Sequence, residues 1–471
     1  MHMMNKKPCI AMVPSPGLSH LIPQVEFAKQ LLQQHNEFIV TFIIPTLGPL
    51  TPSMQQVLNN LPPNIDFILL PQVKNIQQSH DPAAQMKLIV KHSIPFLQEQ
   101  VKALISKTNL VTIIFSIFST DAYEVAKQFN LSSYLFYASG AVPTSFFLTL
   151  PSLDDSISSE IEFLESAYET VNVPGSIVPY HIKDIPDPLL CERSSLEYKS
   201  FLDVCQKFSL VDGVIINTFN DLEPQVIRAL QEKEKPCFYP VGPLNRNESN
   251  CEDNINSMCL GWLENQPPNS VLYVCFGSGG TVSHDQLNEL AFGLELSGKK
   301  FLWVVRVPCK AVNSAYFVGA KDDPLEYLPN GFLERTKENG LVVPSWAPQV
   351  EILGHGSIGG FLSHCGWGST LESVVNGVPM IAWPLFAEQR MNAKLLTDEL
   401  KVAVRPKIDD ESGIVKREEV ANCVRRIMEG DERLEMQKRI KELSVGASVA
   451  TSENGSSRKA FSSLASRLHN F

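Results

Sequence analysis

Residues 346–389 read WAPQVEILGHGSIGGFLSHCGWGSTLESVVNGVPMIAWPLFAEQ. The pattern is strand end, short helix, strand, tight turn, helix, strand, loop. The strand IGGFLSH (358–364) runs into the turn His364-Cys365-Gly366-Trp367-Gly368-Ser369, and a helix follows whose apolar face includes Leu371, Val374 and Val375. Backbone N–H groups and the positive end of the helix dipole point out of such a turn, which suits a diphosphate. His364 and Ser369 add donors. Glu372, one helical turn after Gly368, is placed to accept hydrogen bonds from a ribose diol, and Trp346 offers a flat face for a base. Each residue has an ordinary alternative: a tryptophan in a strand-rich domain is usually core, and a helix-borne glutamate is usually a solvated surface group.

Strand-like runs surround this stretch: 271–278, 300–305, 340–346, 380–384 and 402–406, followed by the helix pattern Val420, Cys423, Val424, Ile427, Met428. The first half shows the same texture in Cys9–Val13, Phe38–Ile44, Ile65–Leu70, Val111–Phe115, Tyr134–Tyr137 and Gly213–Phe219. Leu21, Val25, Ala28 and Leu32 between two of these runs lie on one helix face. Strands alternating with helices imply parallel sheets with crossover helices. The polar, acidic segment Asn245–Ser257 has almost nothing to bury and reads as a linker. The expected α/β architecture is two Rossmann-like, doubly wound domains, 1–244 and 258–454, facing across a cleft, with a final helix at 455–471 packing back on the first. Ligands of open parallel sheets bind beyond the carboxyl ends of the strands, so residues just after strands are the ones to inspect. The irregular stretch Pro308–Asp323 is either a mobile loop beside that cleft or a surface insertion.

A chain of 471 residues is too long for one ordinary core, and 44% hydrophobic with 19% charged residues excludes disorder. Forty basic against 51 acidic side chains leave a net charge of −11, which argues against nucleic acid or anionic lipid as partner. Any phosphate must therefore be held by local geometry. The ten cysteines stand singly, with no C-x-x-C pair, so neither a metal finger nor a disulfide framework is indicated. The apolar stretch Tyr134–Leu150 is interrupted by Ser139, Gly140, Pro143 and Ser145, and no integral membrane segment is expected. The N-terminus is a poor secretory signal and reads as a first buried strand; a cytoplasmic monomer is the expectation.

Taken together, the 346–389 run resembles the donor-binding box of plant family-1 UDP-sugar-dependent glycosyltransferases, enzymes of GT-B fold that act on small lipophilic acceptors. The likeness extends to PSPGLSH (Pro14–His20), FNDLEP (Phe219–Pro224), YPVGPL (Tyr239–Leu244) and FGSGG (Phe276–Gly280), and within the family it is similar to the branch containing hydroquinone glucosyltransferases. The resemblance implies that Trp346 stacks on uracil beside the backbone of Ala347 and the side chain of Gln349. It also implies that Ser278, His364, Ser369 and the backbone of Trp367 and Gly368 hold the diphosphate. Glu372 then takes the ribose, and Glu388 and Gln389 the sugar hydroxyls. His20, just after the first strand and at the start of a helix, is the implied general base, kept neutral by the helix dipole. A phenol is the favoured acceptor on an aromatic-rich side including Phe118, Phe136, Tyr137, Phe146 and Phe147. UDP-glucose is a co-substrate and no cofactor is implied. No D-x-D occurs in the sequence, so metal independence is expected.

Two positions depart from that pattern. Where the family has an aspartate orienting the base, this chain has Ser116, a loss worth up to ~10⁴ in rate by analogy with other carboxylate-oriented histidines. Asp121 is a conceivable substitute, although with Glu124 it has the D-x-x-E spacing of a capping box. Gly368 stands where the family usually has asparagine, which would weaken donor binding by about 1.5–3 kcal/mol. The expected activity is inverting glucosyl transfer. The rivals are a weakened homologue that binds without efficient transfer, and a nicotinamide oxidoreductase, which lacks a G-x-G-x-x-G at either first strand.

Overall fold

The computed structural model describes residues 7–46, 48–74, 81–156, 170–244, 254–309 and 322–469. Within them the chain divides into two compact units, Met1–Lys183 with Asp187–Asn245 and Val449–Phe471, and Asp184–Pro186 with Arg246–Ser448.

The first unit is a seven-stranded parallel sheet built from β1 (Pro8–Val13), β2 (Ile39–Ile44), β3 (Ile65–Leu69), β4 (Asn109–Ser116), β5 (Ser132–Tyr137), β6 (Gly213–Ile216) and β7 (Cys237–Pro240). Their spatial order is β3-β2-β1-β4-β5-β6-β7, with Val13 opposite Phe115. The order reverses between β1 and β4, which is the switch point where such sheets place ligands. Helix α1 (Leu18–Gln34) buries Leu21, Val25, Ala28 and Leu32 against Ile10, Met12, Phe42 and Ile114. The buried Glu223 of the FNDLEP motif accepts the amides of Ala141 and Val142, both at 2.8 Å, and so caps the helix Ala141–Ser156. That motif is structural.

The second unit is a six-stranded parallel sheet of β8 (Val271–Cys275), β9 (Lys300–Val305), β10 (Gly340–Pro344), β11 (Ile358–Ser363), β12 (Met380–Ala382) and β13 (Ala403–Val404), ordered β10-β9-β8-β11-β12-β13. Its switch point lies between β8 and β11. Alternate β8 residues feed opposite faces: Leu272 and Val274 join one apolar cluster, Val271, Tyr273 and Cys275 the other. A sheet covered on both faces needs continuous apolar strands rather than alternating ones, as VLYVC shows. Helices α2 (Gln349–Leu353), α3 (Trp367–Asn376), α4 (Gln389–Lys394) and α5 (Arg417–Met428) follow its strands. The terminal helix α6 (Ser456–His469) belongs to the first unit, where Phe461, Leu464 and Leu468 join the core and Phe461 stacks on Phe27 at 5.5 Å.

Several sequence expectations change here. Strand β7 was hidden because its short CFYP run lies between prolines; it is an edge strand ending on Pro240, where a missing N–H is tolerated. The expected linker overlaps a helix that begins at Asn254, its earlier residues lying outside the described ones. Of Pro308–Asp323, residues 310–321 also lie outside them. The Asp121–Glu124 capping box does not form. A 3-10 turn, Ile117–Ser119, leads directly into the next helix, so Asp121 already has helical angles (φ −63°, ψ −19°) and makes no side-chain cap. Its carboxylate pairs instead with Lys87 at 3.3 Å, and Glu124 with Lys207 at 2.9 Å. Among the described residues, no helix is long and apolar enough to cross a membrane.

Candidate active site

Four strand ends of the second sheet carry the predicted donor residues. Ser278 follows β8 in an exposed turn, Trp346 follows β10, His364 follows β11, and Glu388 and Gln389 follow β12. Three non-glycine residues with left-handed backbone interrupt these exits: Ser345 (φ 66°), Cys365 (φ 61°) and Ala387 (φ 54°). Such conformations cost about 1 kcal/mol or more each and persist where the surroundings impose them, commonly at binding sites. Here each one abuts a predicted site residue.

The turn after β11 is shaped by absent side chains. A Cβ on Gly277 would lie 2.4 Å from His364 Cε1, and one on Gly366 would lie 2.3 Å from His364 Nε2. The imidazole is thus held between two glycines. It is 9% exposed, its Nδ1 has no hydrogen-bond partner, and burial, helped by the charge of Arg306, lowers its pKa to about 4. A neutral imidazole donates one N–H and contributes no charge. Gly366 is the N-cap of α3 and has no side-chain acceptor to offer that helix start, leaving the first-turn amides to other partners.

Three predicted residues form one hydrogen-bonded cluster. Gln349 Nε2 donates to Ser369 Oγ at 2.9 Å and to Glu372 Oε2 at 2.7 Å, tying α2 to the exposed face of α3. Trp346 is 39% exposed, whereas Trp303 and Trp367 are 1% and 3%, so it lies at the surface rather than in the core. Ala347 is buried beside it. Gly368 is exposed, and a Cβ there would meet nothing within 4 Å. Gln389 is buried and its Oε1 accepts the amides of Leu385 and Phe386 at 2.9 and 3.0 Å, fixing the loop that presents the half-buried Glu388.

In the first unit, α1 starts at Leu18, so His20 lies inside its first turn, with its amide bonded to Gly17 O at 3.3 Å. The imidazole is partly buried, and burial lowers its pKa to about 4, leaving it neutral at pH 7. Desolvation is therefore the cause of that neutrality, where the sequence had suggested the helix dipole. The ring meets Phe118 edge-on, 5.5 Å between centroids. The loops after β1 and β4 are laced together: Phe118 N donates to Ser15 Oγ at 2.9 Å, and Ser119 Oγ to Pro14 O at 3.0 Å. Ser116 ends β4, is 4% exposed and caps nothing. Of the expected acceptor-side aromatics, Phe136, Tyr137, Phe146 and Phe147 are buried, as in the Phe27–Phe136 contact at 5.3 Å; Phe118 is the one that meets His20.

Sequence reasoning missed the roles of Gly277 and Gly366, because the clash they avoid exists only in three dimensions. It also missed Arg306, the first residue beyond β9, which strand-end inspection of KFLWVVR could have found. Among the described residues, no three His, Cys, Asp or Glu side chains gather as a metal site.

The family profile described as UDP-glucoronosyl and UDP-glucosyl transferase matches residues 215–442. Hydroquinone glucosyltransferase from Rauvolfia serpentina is 49% identical over 473 residues, covering 99% of each chain. The chain belongs to the plant family-1 UDP-glycosyltransferases. UDP-glycosyltransferase 72B1 from Arabidopsis thaliana, another member of this family, is 45% identical over 98% of this chain and 96% of its own. The solved structure of Phytolacca americana UGT2, complexed with UDP-2fluoro-glucose and pterostilbene, is 43% identical, covers 98% of this chain and 100% of its own, and superposes with a TM-score of 0.89. The two parallel sheets are those of the GT-B fold, and the chain is a UDP-glycosyltransferase with glucosyltransferases among its relatives.

Proposed function

We propose that the protein transfers glucose from UDP-glucose to a hydroxyl of a small phenol, with inversion at the anomeric carbon and without a metal. The observation that carries this reading is the α3 turn, where His364 is locked between Gly277 and Gly366 beside an uncapped helix start, next to the Gln349–Ser369–Glu372 cluster and the exposed Trp346. In this reading Trp346, Ala347 and Gln349 receive the base, Glu372 the ribose, and Ser278, His364, Ser369 and the amides of Trp367 and Gly368 the diphosphate. Glu388 and Gln389 hold the sugar. The acceptor O–H gives its proton to neutral His20 as its oxygen attacks C1, the C1–O bond to UDP breaks, and a β-glucoside forms. The hydroquinone glucosyltransferase relative and the pterostilbene complex support a phenolic acceptor. A cytosolic monomer using no cofactor remains part of the proposal.

A second reading, binding with slow transfer, is favoured by Ser116. It offers no negative charge to the imidazolium that forms, and Asp121 is already engaged by Lys87. Steady-state kinetics with UDP-glucose and hydroquinone test this. Ser116→Asp is expected to raise kcat at least tenfold, a fraction of the ~10⁴ limit for an orienting carboxylate. An unchanged kcat shows that the wild-type base needs no such partner. Gly368→Asn has room for its side chain, so it is expected to tighten UDP binding by one to two decades, the worth of a charge-assisted hydrogen bond of about 1.5–3 kcal/mol. Calorimetric titration measures that gain, and an unchanged dissociation constant shows that a side chain at position 368 does not reach the phosphates.

A further inference from the structure

The donor site described above has no full positive charge assigned to the diphosphate. His364 is neutral at pH 7, the chain carries a net charge of −11, and a helix N-terminus is worth about half a charge. Arg306 stands where the missing charge is needed. Val274 lies opposite Trp303 on one side of β8, and Cys275 lies opposite Ser363 on the other. Carried forward, these parallel registers bring Arg306, Gly277 and the His364–Gly366 turn out of the sheet in one row across three neighbouring strands, ~4.8 Å apart from strand to strand. The middle position of that row is a glycine whose missing Cβ leaves its space to the His364 ring.

The Arg306 segment is also pinned on both sides. Val305 O accepts the amide of Ser345 at 2.8 Å, next to Trp346, while Val307 O accepts Thr281 Oγ1 at 2.7 Å and Cys309 N donates to Val282 O at 2.9 Å, next to the Ser278 turn. Arg306 therefore leaves the sheet between the loop that carries the base platform and the loop that carries a diphosphate donor. Its partly buried charge reaches this site, since after burial it is the second cause of the lowered pKa of His364.

We infer that Arg306 binds the nucleotide diphosphate as its cationic partner, selecting UDP over the uncharged nucleoside and stabilising the charge that develops on UDP as the sugar leaves. A planar guanidinium suits two phosphate oxygens at once. This rests on the donor-site reading under Proposed function, and the test separates the two.

Calorimetry compares UDP with uridine for wild type, Arg306→Gln and Arg306→Lys across a salt series. Arg306→Gln is expected to bind UDP ~10- to 100-fold more weakly with uridine affinity unchanged, and to show a shallower salt dependence. Arg306→Lys keeps the charge and recovers UDP binding to within about tenfold of wild type. The inference is overturned if Arg306→Gln binds UDP as wild type does, or if UDP and uridine weaken by the same factor, which marks a structural role. Should Arg306→Gln not fold, Arg306→Met, which keeps the side chain's length without its charge, takes its place: UDP weakened at least tenfold with uridine unchanged supports the inference, and UDP bound as by wild type, or both ligands weakened equally, overturns it. Wild type that binds neither ligand overturns the donor-site reading itself.

Discussion

His20→Ala is expected to lower kcat/KM for UDP-glucose and hydroquinone by ~10²–10⁴ while leaving UDP affinity unchanged, the span general-base catalysis typically supplies. The split follows from where the residues stand: His20 lies on α1 of the first unit, whereas every proposed UDP contact follows a strand of the second unit's sheet. The pH profile adds a second readout. Burial lowers the His20 pKa from the usual 6.5 to about 4, so the base stays unprotonated well into the acid range. The acid limb of kcat/KM should then lie nearer pH 4 than pH 6.5. Stability runs in a defined direction too. Between pH 6.5 and 4 the unfolded chain binds protons that folded His20 and His364 refuse, so stability is full above 6.5 and declines as pH falls through that window. A limb at 6.5, or an equal loss of UDP affinity in His20→Ala, contradicts the assigned role.

The second large effect concerns two glycines that contribute by what they lack. Gly366 has ordinary angles (φ −60°, ψ 136°), so Gly366→Ala strains no backbone, yet its Cβ would stand 2.3 Å from His364 Nε2. The ring cannot retreat towards Gly277, whose own Cβ position is 2.4 Å from Cε1. In the proposed donor site, displacing it would forfeit a hydrogen bond to a charged phosphate, about 1.5–3 kcal/mol, so UDP should bind roughly ten- to a hundredfold more weakly. Gly277→Ala adds a left-handed backbone penalty of ~1–2 kcal/mol at φ 74° and should also lower thermal stability. Gly356→Ala, whose Cβ meets nothing within 4 Å, serves as control. Titration of UDP against the three variants decides; unaltered affinity in Gly366→Ala would remove His364 from the diphosphate contacts.

Much of this was legible from residues alone, for reasons that differ by element. The β11–turn–α3 unit could be read because a parallel strand buried on both faces is a continuous apolar run and the following helix shows its own period. Trp346, Ser369 and Glu372 could be singled out from strand ends and helix spacing, and Gln349 by resemblance; Trp346 lies at the surface and the other three share hydrogen bonds. What could not be read depends on partners distant in sequence. Asp121 has the spacing of a cap but the backbone of a helix interior, because a 3-10 turn precedes it and Lys87 reaches it from another element. Phe136, Phe146 and Phe147 have the composition of an acceptor pocket but the burial of a core. The clamp on His364 needs Gly277 and Gly366, 89 residues apart in the numbering, to meet one ring.

The most direct test incubates the wild-type protein with UDP-glucose and hydroquinone in the presence of a chelator, following UDP release and the anomeric configuration of the product by NMR. An inverting, metal-independent glucosyltransferase releases stoichiometric UDP and forms a β-glucoside, both undiminished by the chelator. An α-glucoside, transfer that stops when metal is removed, or bound UDP-glucose that is never turned over would contradict that assignment.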